Sequence, residues 1–195
     1  MTDTSELDKL IVENLLDLDQ AAKRVDALGD QIWKQIYETF ENWAMGRGWR
    51  GSSDEDDPWV APKNWVADKE REAWFYPDNG PDDTGEGVGQ EPYHALSRYV
   101  GVAGGQLCLW FGQKTGARKW KPLAREHAQI MVTHGFHLSD AGNFYTVCSL
   151  DARTVAAALA DQQLETAMAP IEAALQRAAN AEAEFTKLLA KVKLI

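Results

Sequence analysis

Basic residues, cysteines and long apolar runs are all scarce in this chain of 195 residues. Twenty Lys and Arg stand against thirty Asp and Glu, giving a formal net charge of -10. A surface this acidic repels phosphate unless its cations cluster, so nucleic acid is disfavoured as a partner and a protein partner is favoured. Only Cys108 and Cys148 are present, each inside an apolar run. Two buried thiols in a reducing compartment are expected in preference to a disulfide. No segment approaches the roughly 20 apolar residues of a membrane span. The N-terminus, MTDTSELDKL, has neither the basic start nor the apolar core of a signal peptide. The expected location is the cytoplasm.

Catalytic motifs are lacking too. Gly85, Gly87 and Gly89 alternate, with no strand before, no helix after and no Lys-Ser/Thr to cradle a phosphate. No serine sits in a Gly-x-Ser-x-Gly elbow. His134 and His137 approach zinc-ligand spacing, but His127 or Cys148 would have to complete a four-ligand site from elsewhere in the fold. Acid pairs abound, and nothing marks one as flanking a cleft. No metal and no cofactor is expected.

What the chain does have is helical periodicity at both ends. Ile11, Leu15, Leu18, Ala22, Val25, Ile32, Ile36, Phe40 and Trp43 form one apolar stripe down a helix, with polar residues on most other positions. Gly29-Asp30 marks a place for a break. Ile171, Leu175, Ala178, Phe185, Leu188, Leu189 and Val192 form a second stripe, opened by Pro170. Between them lie strand-like pieces. Ala73–Tyr76 is ended by Pro77, 93–103 and 106–111 frame a hairpin at Gly104-Gly105, and Phe144–Leu150 is rich in β-branched and aromatic residues. A short helix over 122–132 is opened by Pro122 and closed by Gly135. The expectation is an α+β fold, a small antiparallel or mixed sheet of about four strands packed with long N- and C-terminal helices. It forms one domain over 1–195, helical at 5–45, mixed at 59–150 and helical at 152–193. The two terminal helices should lie against each other or side by side on the sheet, because either stripe left in water would drive association.

Charge is segregated. Asp54, Glu55, Asp56 and Asp57 sit in one loop, and Asp82, Asp83 and Glu86 in a second, long irregular one. Both suit docking to a basic partner, and neither has the alternating ligand spacing of a calcium loop. Lys114, Arg118, Lys119, Trp120 and Lys121 combine cations with an aromatic, as a single-strand nucleic-acid groove does. Trp120 either stacks on a ligand or anchors this stretch to the core, and the anchor is expected.

In layout the chain resembles the restriction-endonuclease-like nucleases. It has a long first helix, a hairpin with an apolar central strand ending Trp110-Phe111-Gly112-Gln113-Lys114, and a lysine nearby. The resemblance implies an acid and an acid-x-lysine on neighbouring strands, holding magnesium at a phosphate. The residue two before Lys114 is Gly112, so a degenerate relative is what it implies. The functional expectation is a non-enzymatic soluble interaction or regulatory protein that binds a protein partner or a second copy of itself. The alternative is a nucleic-acid-acting protein.

Overall fold

A computed structural model describes residues 4–52, 54, 56–67, 70–81, 93–102 and 105–194. The fold is α+β. Helix α1 (Thr4–Glu13) runs into α2 (Leu15–Arg47), which Gly48 closes in the left-handed region at φ 72°. Short strands β1 (Arg50–Gly51), β2 (Val60–Ala61), β3 (Val66–Ala67) and β4 (Glu70–Arg71) precede the long strand β5 (Ala73–Asn79). Then come α3 (Ala95–Tyr99), β6 (Leu107–Gln113), α4 (Ala117–Thr133), β7 (His137–Leu138), β8 (Phe144–Val147), α5 (Ala152–Ala160) and α6 (Ala169–Lys193).

Six strands form one antiparallel sheet in the order β1-β2-β5-β6-β8-β7, and β3-β4 form a separate pair. The expected strands at 73, 106 and 144 are its centre. The extra members are two-residue strands too short to carry a periodic signal. Alternation along β5 and β8 sends Phe75 and Phe144 to one face, where Phe75 meets Phe111 of β6. Helix α6 covers that face. Phe185 stacks on Phe111 with centroids 4.1 Å apart and meets Phe75, Phe136 and Phe144 edge-on. One contiguous core runs from Ile32 to Val192.

Several local expectations are corrected. Helix α2 continues through Gly29, and the interruption falls at Asn14 instead. The 93–103 segment contains the helix α3 where a strand was expected, and Gly104 of the expected hairpin lies outside the described residues. Pro77 lies within β5. That is tolerated because β2 pairs with β5 only at Val60–Phe75, leaving β5 an edge strand from Tyr76 onward. Pro122 lies inside α4, which begins at Ala117. The Trp120 side chain, bound into the core, holds the turn before the proline. Pro170 opens α6 as expected, and Asp151 caps α5 by accepting from the Thr154 N–H at 2.8 Å. Among the described residues no helix is long and apolar enough to cross a membrane.

Candidate functional site

The N-terminal stripe divides in two. From Ile32 onward it is core: Ile32 and Ile36 are 0% exposed and Phe40 is 2% exposed. Before Val25 the same face is in water, with Leu7 57%, Ile11 41%, Leu15 61% and Leu18 45% exposed. The expectation that the whole stripe packs on α6 or the sheet therefore holds for its second half alone. The change of environment comes where α3 meets α2. A Cβ on Gly29 would lie 3.9 Å from the Leu96 amide nitrogen. Asp26 pairs with His94 at 3.0 Å, and Trp33 stacks on Tyr99. Residues 4–24 form an arm projecting beyond this point, about 30 Å long at 1.5 Å per residue.

A helix of this length is marginal alone. Continuity with the buried half of α2 supplies the nucleus, and the Lys9–Glu13 and Lys23–Asp19 pairs support the exposed turns. Asn14 departs from helical backbone, yet its N–H and its side-chain amide both donate to the Leu10 carbonyl, while its own carbonyl accepts from Leu18. The chain direction is thus kept across the interruption.

The basic stretch does not converge on one surface. Lys114 pairs with Glu70 at 3.0 Å. Arg118 and Lys119 are exposed in the first turn of α4 and edge a groove of about 400 Å³ with Pro122, Leu123 and Glu126. Lys121 lies half-buried beside Gly142. Trp120 is buried, as the anchor expectation had it. Its indole N–H donates to the Gly142 carbonyl at 2.8 Å, and its ring stacks on Phe111 and meets Phe144 edge-on. Its assignment as a nucleic-acid-stacking residue is corrected accordingly, because the ring has no free face. Gly112, where a nuclease would carry an acid, lies under the Trp74 ring. A Cβ there would be 2.5 Å from Trp74 Cε2, so Asp or Glu has no room.

Of the acidic docking candidates, Asp54, Asp56 and Asp57 are exposed. Arg71 binds Asp57 at 2.8 Å while its guanidinium lies over Trp59 and Trp74. Glu55, Asp82, Asp83 and Glu86 lie outside the described residues.

Sequence reasoning missed the outer face of the sheet. Tyr76, Trp110, Tyr145 and His137 stand in one row across β5, β6, β8 and β7. Trp110 and Tyr145 are 5.0 Å apart, Tyr145 and His137 5.5 Å. The Trp110 N–H donates to the Asn79 carbonyl. Burial and the Asp78 carboxylate raise the Tyr76 phenol above its ordinary range. A hollow of about 420 Å³ lies between this row and the 138–143 turn. The alternation in Ala-Trp-Phe-Tyr and Phe-Tyr-Thr-Val was the available signal.

Among the described residues, no three His, Cys, Asp or Glu side chains are grouped to hold a metal ion. Cys108 and Cys148 are both buried and are not joined in a disulfide, and burial pushes the Cys148 thiol far above its ordinary value. His127 is held as a structural group: Nδ1 donates to the Leu123 carbonyl and Nε2 accepts from Lys191. No family model, no curated protein and no solved structure matches the chain.

Proposed function

We propose that this is a non-enzymatic interaction protein whose N-terminal helical arm is its association surface. One observation carries the reading. A single apolar stripe is fully buried from Ile32 to Phe40 and 41–61% exposed at Leu7, Ile11, Leu15 and Leu18. Folded proteins seldom leave a contiguous apolar face of this extent in water unless something binds it. The polar side of the arm is mostly acidic, carrying Glu6, Glu13 and Asp17, which opposes adsorption to anionic lipid and favours a protein occupant. The test compares the full chain with a Leu15→Asp, Leu18→Asp variant, measuring self-association and capture of proteins from extracts of the source organism. Loss of association in the variant, with its melting curve intact, is expected. A full chain that neither self-associates nor captures more than the variant would overturn the reading.

The second reading, a nucleic-acid-acting protein, draws on Arg118 and Lys119, which are exposed at the start of α4 and in no ion pair with a described residue. Labelled single- and double-stranded DNA and RNA, at low salt and with or without magnesium or manganese, test it. Binding that disappears in Arg118→Ala, Lys119→Ala is expected on that reading, and no binding at low salt removes it, since electrostatic attraction is strongest there.

A further inference from the structure

We infer that the occupant of the arm is a second copy of this chain, its arm lying antiparallel to the first. The inference rests on the reading of the arm as an association surface and names its partner.

The stripe on the arm steps four, three, four, three through Ile11, Leu15, Leu18, Ala22 and Val25, the spacing of a two-helix seam. Three features of the arm favour antiparallel pairing with itself. The first is volume. Reversing one copy sets Leu15 against the partner's Leu18 and Ile11 against the partner's Ala22. Each of the four central layers then joins two Leu, or one large and one small residue, and the flanking layers set Val25 against the partner's Asp8. A parallel pair sets Ala22 on Ala22 and leaves that layer underfilled.

The second feature is α3. It covers α2 at Gly29, one turn beyond Val25 on the same stripe. In a parallel pair both copies would bring α3 into the seam at the same level and force the helices apart just past Ala22. In the antiparallel pair that level receives the first described turn of the partner's α1, at Thr4, and no second α3.

The third feature is charge. A parallel pair sets Glu6 and Asp8 beside their copies, and Lys23 and Arg24 beside theirs. Reversal brings the acidic tip to within about one helical turn of the partner's Lys23, and it opposes the two helix dipoles.

Overlap from Ile11 to past Ala22, extended by the flanking turns, runs for roughly 27 Å. It covers on the order of 1,000 Å² in total, near the lower limit for a specific interface. The dimer should therefore be reversible, with a Kd in the micromolar range.

The test uses the purified full chain. Sedimentation equilibrium should give a monomer–dimer equilibrium, and Leu15→Asp should weaken it by about 100-fold or more, as truncation of a central apolar anchor does. Mild oxidation should convert an Ile11→Cys, Ala22→Cys variant to a covalent dimer. Ile11→Cys alone should stay uncoupled, because the two copies of that position lie roughly 16 Å apart along the seam, beyond the roughly 7 Å reach of a disulfide. Cys108 and Cys148 are buried and do not compete. Cross-linking through Ile11→Cys alone, or a trimer or larger species, overturns the antiparallel dimer. A strict monomer also overturns it. If that monomer still captures a protein from extract in an arm-dependent way, the association reading stands and this inference alone falls. If it captures nothing, both fall.

Discussion

Trp120 shows what a single residue can hide in sequence. It sits among Lys114, Arg118, Lys119 and Lys121, and local context fits a stacking ring as well as an anchor. The deciding group is the Gly142 carbonyl, 22 residues away, which accepts its indole N–H. Nothing local announces that bond. Trp120→Ala should destabilise by about 3–5 kcal/mol, the cost of emptying a buried aromatic site. Urea denaturation followed by far-UV circular dichroism measures it, and an unchanged midpoint would mean the ring is not the anchor described. Cys148 offers a second test. Its thiol is raised in the folded state, so its contribution to stability is complete below the unfolded thiol value of about 8.5 and declines as pH rises above it. A thiol reagent should leave Cys148 unmodified in the native protein at pH 8 and label it on unfolding. Rapid native labelling at this site would contradict its burial.

Among the elements, α2 and α6 were the most legible. Periodicity gave both helices and the face each buries, because burial of a stripe needs only the spacing of its apolar residues. What covers the stripe was not legible. The steps from Ile11 to Trp43 widen to seven between Val25 and Ile32, across Gly29, but that gap does not say which side is core and which is arm. The covering element is α3, five residues long, in a segment whose Tyr and Val content favours a strand and whose helix is imposed by packing on α2. The outer aromatic row was missed for a related reason. It exists only once β5, β6, β8 and β7 are placed in register. The two halves of the N-terminal stripe should respond oppositely to the same change. Ile36→Asp or Leu175→Asp puts an unpaired charge in the core and should cost several kcal/mol of stability. Leu15→Asp, in a side chain 61% exposed, should leave the stability of the dilute protein within about 0.5 kcal/mol of the parent. Thermal melts at low concentration compare the three, and a large loss from Leu15→Asp alone would mean the arm is part of the core.

At the scale of the molecule, the core depends on the C-terminal end of the chain and not on the arm. Phe185, Leu188 and Val192 belong to the core cluster, whereas α1 buries no residue. Deleting residues 171–195 should leave the remainder unfolded or aggregated, while deleting residues 1–22 should leave a cooperative monomer. A C-terminal deletion that stays monomeric and melts cooperatively would refute the shared core. The central claim is that residues 7–22 are an association surface joined to a body that folds without them. Hydrogen–deuterium exchange of the full chain across a range of protein concentrations tests it most directly. Amides of residues 32–44 should be protected at every concentration. Amides of residues 7–22 should exchange freely in dilute protein and become protected as concentration rises through the micromolar range. Protection of the arm that persists undiminished on dilution would mean it packs on its own chain, and exchange that never slows at any concentration would mean it does not join a second copy.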